Sequence, residues 1–147
     1  MKDLENITVG EVMTDNVACC TPETDLKDLA ALMLESDSGS IPVVKDFSSH
    51  ALVGIITDRD VVCRSLGIGK DPLEMSVGDC MSDNVISVSP DTPLKIACDL
   101  MRENQVRRLP VCDEGTRCCG VISTTDIAHD APTEQTVDVI QGVAMPH

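Results

Sequence analysis

Two seven-residue segments of this 147-residue chain carry the side chains best suited to chemistry: Gly54-Ile-Ile-Thr57-Asp-Arg-Asp60 and Gly120-Val-Ile-Ser123-Thr-Thr-Asp126. Each has a glycine, two aliphatic residues, a hydroxyl and, three residues on, a carboxylate. Where a strand turns into a helix, that spacing makes a capping box, in which hydroxyl and carboxylate each satisfy a backbone N–H. The same geometry can serve a ligand. A helix N-terminus offers unpaired N–H donors to an anion such as phosphate. An ionised aspartate accepts from two adjacent hydroxyls, as a ribose presents, and such charge-assisted bonds are worth about 1.5–3 kcal/mol each. The glycine permits close backbone approach. On the residues alone, chain capping and sugar-phosphate grip both stand.

The elements that position these segments follow from a duplication. Thr8-Val-Gly-Glu-Val-Met13 recurs as Ser76-Val-Gly-Asp-Cys-Met81, Asp15-Asn-Val17 as Asp83-Asn-Val85, and Ile41-Pro-Val43 as Leu109-Pro-Val111, all at an offset of 68. The two chemistry-bearing segments match at 66. The two missing residues fall in the turn between matched segments, where deletion costs least. Each unit reads β-α-β-β-α behind a helical approach segment. Strands are expected at Val17 to Cys20 and Val85 to Val88, then Ile41 to Val44 with Leu52 to Thr57, and Leu109 to Cys112 with Cys118 to Ser123. Leu26, Leu29, Ala30, Met33 and Leu34 recur at helical spacing, as do Leu94, Ala97, Cys98 and Met101. Thr24 and Thr92 are expected N-caps, with Pro93 at the first helical position. Short helices should follow at Asp58 to Leu66 and Thr124 to Ala128. The expected fold class is α/β (α+β), two β-α-β-β-α repeats packed as one pseudo-twofold module. The domains are residues 8–66 and 76–130, joined by linker 67–75; tail 131–147, with Val137, Val139, Ile140 and Val143, is a candidate last helix.

Composition removes several partners. With 11 Lys+Arg against 25 Asp+Glu, the net charge is −14, against nucleic acid and against anionic membranes. No Trp, no Tyr and one Phe leave no platform for stacking bases. No apolar stretch approaches membrane-spanning length, and the first residues lack a signal core, so a cytoplasmic location is expected. The eight cysteines contain no C-x-x-C pair. Most are expected to be small core hydrophobes rather than ligands or disulfides.

The doubled segments, the matched approach segments and the Leu/Ile-Pro-Val strands resemble tandem CBS (cystathionine β-synthase) domains, over nearly the whole span from Thr8 to Asp130. Thr57-Asp-Arg-Asp-Val-Val62, Gln105-Val-Arg-Arg-Leu-Pro-Val111 and the linker are similar to the short, stand-alone, stress-type members, which consist of the module alone. The resemblance implies a disc-like module that binds an adenosine-containing ligand in clefts between its halves and pairs as a homodimer. The ligands in view are AMP, ADP, ATP, NAD and S-adenosylmethionine. It also implies that Thr57, Asp60, Ser123 and Asp126 contact ribose and phosphate. Aliphatic walls around the base would then include Ile41 and Val43 in one half and Leu109 and Val111 in the other, unless these are plain strand core.

Phosphate in so acidic a chain needs local cations, and these are unequally placed. Arg59 lies in the first motif where the second has Thr125; Arg107 and Arg108 stand where the first repeat has Gly39 and Ser40. Two inequivalent clefts are expected, unless these arginines are simply solvated or paired with carboxylates. The leading expectation is a non-catalytic regulatory sensor, its state read by a protein partner. The alternative is a thiol- or metal-responsive interaction protein using Cys19/Cys20 or Cys118/Cys119. Catalysis has no support, because no nucleophile–base spacing occurs.

Overall fold

The computed structural model describes residues 6–130 and 141–143. Val137, Val139 and Ile140 of the candidate last helix lie outside the described residues. The chain divides into two compact units that do not follow the repeats. Of the described residues, one gathers 6–17, 86–115, 119–130 and 141–143; the other gathers 18–85 with 116–118.

In the first unit, α1 (Val9–Val12) and β1 (Thr14–Asp15) from the start of the chain join α5 (Leu94–Asn104), β4 (Arg108–Asp113), β5 (Arg117–Ser123) and α6 (Thr124–Asp130). The sheet order is β1-β5-β4, with Thr14 opposite Val121 and Asp15 opposite Gly120, antiparallel. Val88 adds a single parallel bridge to Val111. Leu94, Ala97, Cys98 and Met101 of α5 are all buried, as their spacing predicts. They pack on Val9, Leu109, Val111, Ile122 and Ile127.

The second unit holds α2 (Leu26–Ser36), β2 (Ser40–Val44), β3 (Leu52–Thr57), α3 (Asp58–Cys63), two 3-10 turns and α4 (Val77–Cys80). β2 and β3 are antiparallel, with Ile41 opposite Ile56 and Val43 opposite Gly54, and the register slips between Val43 and Val44. Leu26 and Leu29 face the core, with Leu32 and Met33 packed beside it. Ala30 and Leu34 do not: both are exposed, Leu34 at 84%. The buried face centres between Leu29 and Met33, which turns Ala30 and Leu34 to the flank.

The predicted N-caps also move. The helices start one residue later than expected, with Asp25 and Pro93 at the caps and no side-chain cap bond. Thr24 and Thr92 instead close the preceding turns, their hydroxyls accepting from the N–H of Thr21 (3.1 Å) and Ser89 (3.0 Å). A physical substitute replaces the cap. Leu26 N–H donates to the Met75 carbonyl at 3.0 Å, and Leu94 N–H to the Ile7 carbonyl at 2.7 Å. In return Val77 N–H reaches the Thr24 carbonyl and Val9 N–H the Thr92 carbonyl, both at 2.8 Å. Each approach segment therefore closes the helix start of the other repeat.

Candidate functional site

Both chemistry-bearing segments fold as strand-to-helix junctions closed by capping boxes. At the first, Thr57 N–H donates to Asp60 Oδ2 (2.9 Å) and Asp60 N–H to Thr57 Oγ1 (3.1 Å). At the second, Ser123 N–H donates to Asp126 Oδ2 (3.0 Å) and Asp126 N–H to Ser123 Oγ (3.1 Å). The capping role is thus realised in both copies. The remaining carboxylate oxygens differ. Asp126 Oδ1 accepts the Thr14 hydroxyl at 3.1 Å, across 112 residues of sequence. Asp60 Oδ1 has no hydrogen-bond donor among the described residues.

The first turn of α3 corrects the expectation of a helix N-terminus held open for phosphate. Asp58 N–H goes to the Gly39 carbonyl (2.9 Å), Arg59 N–H to Asp58 Oδ1 (2.8 Å) and Asp60 N–H to Thr57. Those donors are spent, and Asp58 adds a second carboxylate beside them. An anion there must be met by side chains. The motif glycines serve the chain's own backbone: a Cβ on Gly54 would stand 2.5 Å from the Ser82 carbonyl oxygen, and one on Gly120 2.6 Å from that of Thr14.

Thr57, Asp60 and Asp126 are half-buried, and Ser123 is at the buried limit. Thr124 N–H donates to the Arg107 carbonyl at 3.0 Å, so Arg107, just before β4, and Arg108, its first residue, stand beside the Ser123–Asp126 box. The matching carbonyl beside the first box is that of Gly39, and the cation there is Arg59 on α3 itself. Arg59 and Arg107 are exposed and Arg108 half-buried. None of the three pairs with a carboxylate among the described residues. Ile41, Val43, Leu109 and Val111 are enclosed at 0–2% exposure, as strand core. A cavity of about 500 Å³ in the first unit contains none of these residues. Asp91, Asp113 and Glu114 on its wall make it a poor phosphate seat.

Three features escaped the reading of the sequence. Thr14 reaches Asp126 through a strand pairing that no local pattern announces. Arg64 Nη1 donates to the carbonyls of Cys80 (3.2 Å) and Met81 (3.0 Å), closing the C-terminal end of α4. The Cys19 and Cys118 thiols hydrogen-bond each other, which lowers the pKa of Cys19 against the opposing effects of burial and Cys20. Elsewhere burial dominates, raising Cys20 to about 12 and Cys98 to about 11. Five of the eight cysteines are buried and all are free, so their main role is packing. Among the described residues, no cluster of His, Cys, Asp or Glu forms a metal site, and no helix is long and apolar enough to cross a membrane.

The family model of the CBS domain matches residues 9–67 and again 77–131, so this chain belongs to the CBS domain family, as a CBS pair. Such pairs are generally non-catalytic regulatory modules. Hypoxic response protein 1 of Mycobacterium tuberculosis is 31% identical over 139 residues, 95% of each chain. The crystal structure of Hypoxic Response Protein I with two coordinated zinc ions is similar with a TM-score of 0.77 and 32% identity, covering 85% of this chain and 99% of that one. CBSX2, of Arabidopsis thaliana, crystallised in complex with AMP, has a TM-score of 0.73 and 28% identity over 84% of this chain and 94% of its own.

Proposed function

We propose that this CBS pair is a non-catalytic sensor of an adenosine-containing metabolite: AMP, ADP, ATP, NAD or S-adenosylmethionine. What carries this proposal is the Thr57–Asp60 junction, where the capping box uses one carboxylate oxygen and leaves Asp60 Oδ1 with no donor among the described residues. A ribose hydroxyl can supply that donor. The AMP complex of CBSX2 supports the choice of ligand class. Phosphate falls to the side chains of Arg59 at one junction and Arg107 and Arg108 at the other. The two sites are inequivalent. The Asp60 site is the more open to ribose, because Thr14 already occupies Asp126 Oδ1.

Binding at a junction changes what a protein partner meets, to the extent that the ligand prefers one state of the module over another. A second copy is the expected assembly partner. Val62, Leu66, Ile68 and Leu73 are 54–69% exposed along α3 and the turns after it, a patch of apolar surface that a homodimer would cover. Eight free thiols suit the reducing cytoplasm.

The test is calorimetry of the purified protein against the five metabolites, with Asp60→Asn and Asp126→Asn beside the unaltered chain. The asparagine amide oxygen can still accept the N–H of Thr57 or Ser123, so folding is preserved while the charge-assisted ribose bonds are weakened. At about 1.5–3 kcal/mol per bond, Asp60→Asn should weaken binding by roughly 10-fold or more. A chain that binds none of the five, or an Asp60→Asn variant that binds as before, would refute the assignment.

A further inference from the structure

The sensor chemistry above leaves one reactive pair unused. Cys19 and Cys118 lie 99 positions apart in sequence, yet in the same compact unit their thiols are hydrogen-bonded partners. Their surroundings are unequal. Cys19 is half-buried and can be reached from solvent, whereas Cys118 is buried at 4% exposure. The backbone is pinned on both sides. Next to Cys19, Cys20 N–H donates to the Pro42 carbonyl (3.1 Å) and Val44 N–H to the Cys20 carbonyl (2.8 Å). Cys118 N–H donates to the His50 carbonyl (2.8 Å), beside the bridge between Ala51 and Arg117. The hydrogen-bonded thiols are thus held between the residue next to the Cys20–Val43 bridge and the start of β5, and a disulfide forms by drawing the two sulfurs together to about 2.05 Å.

We propose that Cys19 and Cys118 form a redox site, a dithiol that small-molecule disulfides of the glutathione type oxidise to an intramolecular disulfide. The hydrogen bond from Cys118 favours the Cys19 thiolate, which is the nucleophile. Competing thiols are held otherwise. Cys20 Sγ points to the Pro42 carbonyl (3.8 Å), Cys80 Sγ to that of Arg64 (3.8 Å) and Cys119 Sγ to that of Val111 (3.4 Å). Burial raises the pKa of all three.

The exchange runs in two steps. The Cys19 thiolate attacks one sulfur of R–S–S–R, forming the mixed disulfide Cys19–S–S–R and expelling one RS⁻. Cys118, deprotonated as it loses its thiolate partner, attacks the Cys19 sulfur and expels the second RS⁻. Two electrons pass from the protein to the small disulfide, and the two thiol protons end on two molecules of RSH. Excess RSH reverses both steps.

The experiment treats the full-length chain, in a Cys63→Ser background that removes the exposed thiol, with oxidised glutathione, followed by intact mass and non-reducing peptide mapping. The expected product has lost two hydrogens, carries no glutathione and yields a peptide linking Cys19 to Cys118. Cys118→Ser should instead stop with one glutathione on Cys19, and Cys19→Ser should leave Cys118 unmodified. The proposal is overturned if the unaltered pair retains glutathione on Cys19. It is equally overturned if Cys19 links to Cys20 or any other cysteine, or if neither residue reacts.

Discussion

Gly54→Ala and Gly120→Ala test what the motif glycines are for. A Cβ at Gly54 would stand 2.5 Å from the Ser82 carbonyl oxygen and 2.7 Å from Met81 Cε. A comfortable carbon–oxygen contact is about 3.3 Å or more, so the facing backbone must retreat by roughly 0.8 Å. It cannot do so freely, because Ile55 N–H donates to the Ser82 carbonyl and Ser82 N–H to the Ile55 carbonyl, both at 2.9 Å. Losing those two bonds costs about 0.5–1.5 kcal/mol each, and residual overpacking about 1 kcal/mol more. Alanine returns about 0.4–1 kcal/mol by restricting the unfolded chain. The net expectation is a loss of about 2–3 kcal/mol. Gly120, with the Thr14 carbonyl oxygen at 2.6 Å, should behave alike. Gly67 is the control: its nearest neighbour, the Val62 carbonyl oxygen, is 3.5 Å away, so Gly67→Ala should be neutral or slightly stabilising. With no Trp or Tyr to report by fluorescence, urea unfolding followed by circular dichroism is the assay. At about 1–3 kcal/mol per molar urea, the midpoint for Gly54→Ala should fall by about 1 M or more. Equal midpoints for Gly54→Ala and Gly67→Ala would refute the steric account. If binding were then lost in Gly54→Ala, the glycine would be there to admit the ligand.

Three further outcomes are expected. Thr14→Val removes the donor to Asp126 Oδ1 while keeping the side chain's shape, so a ribose hydroxyl should bind more tightly at the second junction; calorimetry showing weaker binding there would contradict the competition. Asp46 is held at about 2, below its ordinary 3.8, mainly by the Ser49 backbone N–H and then by the Ser48 hydroxyl. Because the folded value is depressed, its stabilising contribution is complete above about pH 4 and is lost as the pH falls toward 2. Carbon NMR of the Asp46 carboxyl should therefore give a midpoint near 2, and one near 4 would remove the contribution. Closing the Cys19–Cys118 disulfide constrains a loop of roughly 100 residues in the unfolded chain, worth up to about 4–5 kcal/mol. Thermal unfolding of the oxidised protein should rise by on the order of 10 °C, and an unchanged transition would show that native strain cancels the gain.

What was legible in the residues, and what was not, divides by the range of the interaction. Strands 40–44, 52–57 and 108–113 and the buried face of α5 follow from local apolar pattern, because alternation and helical spacing are set within one element. The capping boxes were legible for the same reason: hydroxyl and carboxylate lie three residues apart. Thr24 and Thr92 misled because cap preference presumes that no other group claims the first turn. Here Met75 and Ile7, about 50 and 87 positions away, supply the carbonyls. Leu34 misled because spacing admits more apolar residues to a face than the core has room to bury.

The exchange of approach segments bears directly on how a duplicated motif diverges. Thr14 occupies, relative to Asp126, the place that Ser82 occupies relative to Asp60: Thr14 faces Val121 as Ser82 faces Ile55. Yet only Thr14 bonds the carboxylate among the described residues. Whether the hydroxyl borrowed from the opposite repeat reaches the carboxylate, as that of Thr14 does, thus decides whether the aspartate's second oxygen is spent or open, while the box around it stays the same. Divergence of the two sites therefore needs no change in either motif. It can proceed through positions 14 and 82 in the approach segments and through the residues at 39–40 and 107–108 that replace Gly-Ser with Arg-Arg. An exchange that takes the hydroxyl from one approach segment and recasts the other, Thr14→Val with Ser82→Thr, should transfer the more open carboxylate from Asp60 toward Asp126. Calorimetry of the swap with Asp60→Asn or Asp126→Asn added would then show the dominant ribose contact moving to the aspartate that no hydroxyl occupies. Should Asp60 keep that contact after the swap, the motif itself, and not the borrowed segment, would set the difference.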